Sequence, residues 1–165
     1  MFADWMLWGI VALALSAGLV AGVFLAFSDF IMTSLSASKP AAGTEAMQII
    51  NREVHGSIFA LLLIGLVPVS AVVALFGYFT LPGSASAWLI VATAVYFAGV
   101  MLVTGLGNVP MNMRLEAMPQ AGAAAQAYWP DYVRGWVVWN HLRTAASFGT
   151  MACYVIAAVQ LAKAM

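Results

Sequence analysis

From residue 54 to residue 113 the chain carries no aspartate, glutamate, lysine or arginine, and a second run free of charge covers residues 5–28. A soluble domain spreads roughly 25% charged residues along its length to keep its surface in water. Here charged residues are 7% of 165, against 64% hydrophobic, and the mean hydropathy is +0.98. Runs of this length are at home only where the surroundings are apolar as well. About 20 apolar residues in a helix cross the roughly 30 Å hydrocarbon core of a bilayer. In that core each backbone N–H and C=O must find its partner internally, which a helix achieves within one segment. The expectation is an all-α integral membrane protein.

The longer run has room for two spans, and GYFTLPGSAS at 77–86 supplies turn residues to divide them. Another apolar stretch runs from Arg134 to about residue 162. Helices are therefore expected near 5–34, 45–78, 86–109 and 133–162, forming a single transmembrane domain over 1–165. The expected fold is a four-transmembrane-helix bundle with up-down-up-down order. The connection 115–132 is expected to hold a short amphipathic helix ending at Tyr128 and Trp129. The opening MFADWMLWG has no basic residue before its apolar run, so it reads as a retained helix and not a secretory signal. Gly18 and Gly22 form a GxxxG beside Ala14, and Gly99, Gly105 and Gly107 follow on the third span, which predicts close helix packing. Pro68 and Pro110 are expected to kink their helices. The single cysteine, Cys153, reads as a small buried hydrophobe, and no disulfide framework exists. The formal net charge of zero argues against nucleic acid as a partner.

The charges that do exist are placed unevenly. All but Asp4 and Lys163 of the twelve fall toward the 1–2 and 3–4 connections. Lys39, Arg52, Arg114, Arg134 and Arg143 then put those connections in the cytoplasm by the positive-inside bias. Both termini are expected on the outer, periplasmic side of a bacterial inner membrane. Trp5, Trp8, Tyr78 and Trp88 fit the outer aromatic belt, and Tyr128, Trp129, Tyr132 and Trp136 the inner one.

Polar side chains gather at the same end. The first span closes with Ser28 and Asp29, and the second opens with Gln48, Asn51, Glu53 and His55. The third closes with Thr104, Asn108 and Asn112, and the fourth opens with Trp136, Asn140, His141, Arg143 and Thr144. Four-residue spacings link Asn51 with His55, and Thr104 with Asn108 and Asn112. Trp136, Asn140, Thr144 and Ser147 form a similar stripe. Ionisable groups at bilayer depth are costly and usually face a bundle interior or a wet cavity, so a polar pocket near the cytoplasmic face is expected. Duller roles compete: Arg52 and Arg143 as snorkelling side chains, Asp29 as an arginine's partner, His141 as a packing residue, and the asparagines as hydrogen-bonding glue between helices.

Four segments carry a resemblance: GVFLAFSDFIMTSL (22–35), AMQIIN (46–51), NVPMNMRL (108–115) and WVVWNHLRT (136–144). Together they resemble the anthrone oxygenase-like (DUF1772) family of membrane proteins, along nearly the whole chain. The resemblance implies a four-helix membrane protein, some of whose relatives oxidise an anthrone to an anthraquinone without flavin or metal. It matches Met32, Met47, Gln48, Asn51, Asn112, Trp136, Asn140, His141, Arg143 and Thr144. His55-Gly56 departs from the Asn-Pro-like pair expected at that point.

Three functions follow as expectations. The first is a cofactor-independent oxygenase acting with O2 on a hydrophobic aromatic, anthrone- or quinol-like. His141 would be its general base, with Arg143 or Asn140 stabilising an oxyanion and Trp136 or Trp139 stacking on the ring. Gln48, Asn51, Asn108, Asn112 and Thr144 would line the substrate. The second is a metal- or haem-binding redox protein using His55, His141 and Glu53 or Asp29, although no HxxxH, ExxH or CxxC spacing is present. The third is a non-enzymatic binding or assembly subunit of a membrane complex; a polar half without a continuous polar path disfavours a channel. The partners expected are a hydrophobic small molecule or lipid, the membrane itself, and a second copy if the protein is a homo-oligomer. No GxGxxG, GxSxG or GxxxxGK motif supports nucleotide or serine-hydrolase chemistry.

Overall fold

The computed structural model describes residues 2–81 and 83–165, with side chains from Asp4 onward; Pro82, in the expected turn, lies outside the described residues. These are helical almost throughout and include no strand. Helix α1 (Phe2–Ala26) passes through a π-turn (Phe27–Ile31) into α2 (Met32–Ala37), and α3 (Pro40–Glu53) precedes α4 (Ile58–Thr80). Helix α5 (Ala85–Tyr96) continues through π-turns at Phe97–Leu102 and Thr104–Asn108 into α6 (Val109–Glu116), and α7 (Ala123–Lys163) ends the chain. Four helical stretches among the described residues are long and apolar enough to cross a bilayer: Asp4–Ala37, Ile58–Thr80, Ala85–Glu116 and Ala123–Lys163. The protein is all-α and integral to the membrane.

The helix expected over 45–78 is in fact two. After Glu53 the chain makes a 3₁₀ turn, and Ser57 then adopts an extended backbone (φ −90°, ψ 157°). Its hydroxyl oxygen accepts the Ala60 N–H at 3.1 Å, a side-chain cap that starts α4 afresh. The 14-residue α3 is thereby separated from α4, and its buried face (Gly43, Thr44, Met47, Gln48, Asn51) packs against α7 and its neighbours. The fourth helix starts at residue 123 rather than 133 and runs unbroken for 41 residues. Tyr128 and Trp129 therefore belong to it, and the separate amphipathic helix expected at 115–132 is not formed. The third span reaches Glu116 because the π-turn Thr104–Asn108 loosens the ladder just where Pro110 has no N–H to give.

Helix α1 packs on α7, α7 on α5, α5 on α4 and α4 on α1. Gly18 stands beside Met151 while Phe24 stands beside Asn140, so α1 and α7 run in opposite senses. Gly99 lies against Ala146 and Gly107 against Trp139, so the third span and α7 also run in opposite senses. Lipid tails are as apolar as leucine, so helices in a bilayer associate through close packing and polar contacts rather than through burial from water. The glycines act on that term: a Cβ at Gly99 would overlap the Ala146 methyl, and one at Gly107 the Trp139 ring. Gly22 and Gly105 face open space, so the expected GxxxG holds a contact at Gly18 alone.

Two apolar clusters result. One fills the bundle, around Ile10, Ala17, Val20, Phe24, Leu89, Tyr96, Val100 and Tyr154. The other ties α2, α3 and α6 to the start of α7, around Met32, Met47, Leu115, Trp129, Tyr132 and Trp136. Trp5 and Trp8 are 76% and 68% exposed. Trp129, Tyr132 and Trp136, expected in the opposite belt, are instead core residues, because α3 folds back over them.

Candidate functional site

Between the two apolar clusters lies a polar layer, and α7 supplies its backbone. The stripe Trp136, Asn140, Thr144 and Ser147, joined by Arg143, is the buried face of α7. Asn140 uses its whole amide. Nδ2 donates to the Phe24 carbonyl at 2.6 Å and to the Ser28 hydroxyl, and Oδ1 accepts from the Arg143 guanidinium at 2.6 Å. The Thr144 hydroxyl donates to the Asn140 carbonyl at 2.9 Å. One side chain thus couples α7 to α1, next to the π-turn that carries Ser28.

Arg143 is buried, and its guanidinium lies 4.3 Å from the Phe24 ring centre and 5.1 Å from that of Trp136. Phe24 belongs to one apolar cluster and Trp136 to the other, so the cation is held between them. Among the described residues no carboxylate pairs with it. The ion pairs found there, Arg52 with Glu116 at 2.6 Å and Arg134 with Asp131 at 2.5 Å, are exposed. Asp29, expected to partner an arginine, is exposed and pairs with none of the described residues. Arg52 is exposed and ion-paired, whereas Arg143 is buried without a carboxylate partner among the described residues. An arginine at bilayer depth costs about 2.5–3.5 kcal/mol on insertion scales and more on an isolated helix. Cation–π contacts recover about 2 kcal/mol when desolvated. They offer no acceptor to the Arg143 Nε, which has no hydrogen-bond partner.

The third span and α3 complete the layer. Asn112 Oδ1 accepts from both the Tyr132 hydroxyl at 2.8 Å and the Trp136 indole at 2.9 Å. Asn108 Nδ2 donates to the Trp136 carbonyl at 3.1 Å. Asn51 is buried beside the Tyr132 hydroxyl. Gln48 does a different job from the one expected: its Nε2 donates to the carbonyls of Leu115 and Met118 at 2.8 and 3.0 Å, closing the end of α6. More than nine in ten buried polar groups normally find a partner. Here Thr104 Oγ1, Asn108 Oδ1, Arg143 Nε and Ser147 Oγ are all buried without one.

A groove of about 440 Å³ opens between α1–α2 and α7, lined by Ser28, Met32, Thr33, Val133, Arg134 and Val137 among others. Ser28 belongs both to this groove and to the Asn140 network. A second groove, about 560 Å³, runs between α4 and α5 and is almost wholly apolar.

Several expected site residues stand elsewhere. His141 is exposed, with no hydrogen-bond or ion-pair partner among the described residues, so it does not share a hollow with Asn51 and Asn112. It follows Asn140 by one residue, about 100° further round the helix and off the buried stripe. Trp139 is 36% exposed and packs on Gly107, outside the layer. His55 and Glu53 are exposed, and no three of His, Cys, Asp and Glu come together among the described residues, so the metal reading finds no ligand set there. Conversely Phe24, Tyr132 and the free hydroxyl of Ser147 join the layer without having been singled out as site residues. Phe24 and Ser28 are four apart, a spacing that puts both on one face of α1.

A family described as anthrone oxygenase matches residues 57–153, more than half of the chain. The match includes Asn108, Asn112, Tyr132, Trp136, Asn140 and Arg143 and leaves out α1 and α3. No curated protein and no solved structure matches the chain.

Proposed function

The chain belongs to the anthrone oxygenase family, and from that premise we propose that it is a membrane-embedded oxygenase for a hydrophobic, electron-rich aromatic of the anthrone or quinol kind, working with O2 and without an organic cofactor. For an anthrone the balance closes without a reductant. The ring methylene loses two hydrogens and gains one oxygen atom, and the second oxygen leaves with those hydrogens as water.

The observation that supports this reading is the buried polar layer, with a cation held between two aromatic rings and several unused hydrogen-bonding atoms around it. Removing a proton beside a ketone places negative charge on its oxygen. A fixed cation in dry surroundings lowers the energy of that charge far more than water would. Arg143 would meet the oxygen, with Asn140 fixing the guanidinium. Phe24 and Trp136 would flank the ring system, and Asn51, Asn108, Asn112 and Thr144 would shape the polar wall. The groove at Ser28 and Met32 adjoins the Asn140 network through Ser28 and would give a substrate a way toward the layer. The described buried layer contains no carboxylate and no imidazole, so the proton would pass to solvent water or hydroxide as the substrate enters, and Arg143 would stabilise the anion that remains. The charge bias of the connections supports a layer on the cytoplasmic side.

The test is turnover of an anthrone by protein purified in nanodiscs. Oxygen uptake and product absorbance are followed together with incorporation of one ¹⁸O atom from ¹⁸O₂. Uptake no faster than autoxidation in empty nanodiscs, across a panel of anthrones and quinols, would end the proposal.

A further inference from the structure

We infer that this site takes its substrate as an anion: an enolate or phenolate oxygen supplies the counter-charge that Arg143 lacks within the described protein. The identity of the ring system rests on the oxygenase reading above; the charge requirement rests on the polar layer itself.

A guanidinium has five donors in a planar fork and no acceptor. One arm of Arg143 is spent on Asn140, the ring faces of Phe24 and Trp136 cover it, and Nε is left without a partner. The unused groups nearby are neutral. Ser147 lies one turn along α7 on the same face. Thr104 comes to the same level through the register that sets Gly99 against Ala146 and Gly107 against Trp139. These groups can donate to or accept from a bound ligand, but none balances the charge.

The chemical class of the missing anion follows from its surroundings. Arg143 is the only cation in the described buried layer, so one negative charge is matched and a dianion such as inorganic phosphate is not. Two aromatic rings bracket the guanidinium, which suits a flat partner with its oxygen in the ring plane. A phenolate or enolate of a fused-ring system has both properties, and its neutral keto or methyl ether form has only the second.

Binding separates the charge requirement from the ring requirement. Full-length protein in zwitterionic nanodiscs is titrated with anthracene-9-carboxylate and with the neutral anthracene-9-methanol, reading ligand fluorescence anisotropy and referring each to its partition into empty nanodiscs. The expected result is at least tenfold tighter binding of the anion. Arg143→Gln should bring the two ligands within twofold by weakening the anion alone, and Arg143→Lys should keep part of the preference. Equal binding of both ligands to the wild-type protein overturns the anion requirement while leaving the aromatic site and the oxygenase reading in place. So does a preference that survives in Arg143→Gln. Binding of neither ligand removes the aromatic site and this inference with it. The wild-type comparison decides the matter even where the glutamine variant does not fold.

Discussion

Asn140 accepts from Arg143 through Oδ1 at 2.6 Å and donates through Nδ2 to the Phe24 carbonyl, also at 2.6 Å. The residue that orients the buried cation therefore also fastens α7 to α1. Asn140→Ala is expected to lose both. Interhelical hydrogen bonds in membranes contribute about 0.6–2 kcal/mol each, and an abandoned buried partner adds about 1–3 kcal/mol. Unfolding in a denaturing-detergent titration should show about 2–4 kcal/mol of lost stability. A change below about 0.5 kcal/mol would mean that the contact carries no weight.

Asn112 Oδ1 serves two donors at once, Tyr132 and Trp136, both inside the second apolar cluster. Tyr132→Phe removes one donor, and Asn112→Leu strands both. Each single change should cost about 1–2 kcal/mol. The double variant should lose less than their sum, by roughly 0.5–1 kcal/mol, since the shared bond cannot be lost twice. Strict additivity in the cycle would show that the two side chains act independently.

Gly99 and Gly105 are close in sequence and differ in surroundings. A methyl at Gly99 meets the Ala146 Cβ, which is fixed to its backbone, whereas one at Gly105 meets nothing within 4 Å. Gly99→Ala should push the third span off α7 and destabilise by about 1–3 kcal/mol. Gly105→Ala should be neutral, or stabilising by up to about 1 kcal/mol through helix propensity. Comparable melting temperatures for the two variants would contradict this register.

His141 has the side chain best suited to proton transfer near neutral pH, yet it is exposed on the outer face of α7. His141→Ala should keep anthrone turnover within about twofold of wild type. Arg143→Gln, by contrast, should lower kcat by about 10²–10³-fold, the usual effect of removing one oxyanion donor. A hundredfold loss in the histidine variant would return the imidazole to the chemistry.

The amino-acid sequence by itself determined the solvent and the secondary structure. Long runs without charge admit a bilayer and little else, and a bilayer admits these runs as helices because each backbone polar group must be satisfied within its own segment. It also determined which end of the spans is polar, since Asn51, Asn108, Asn112, Asn140 and Arg143 fall where successive spans begin and end. The stripe from Trp136 to Ser147 already marked the inner face of α7 by spacing alone, although the same reading placed the neighbouring His141 in the pocket as its base.

What only the tertiary structure decided was how each helix is turned about its own axis and how far each one runs. The break at Ser57 depends on a side chain capping the backbone, and it is this break that frees α3 to cover Trp129, Tyr132 and Trp136 and make core of an expected surface belt. Phe24 joined Arg143 only through the pairing of α1 with α7. The reason is physical: hydropathy and backbone bonding act within one helix, whereas the facing of a side chain is set by neighbours distant in the chain. Within a lipid solvent as apolar as the helices themselves, close glycine contacts and a few polar bonds choose that facing.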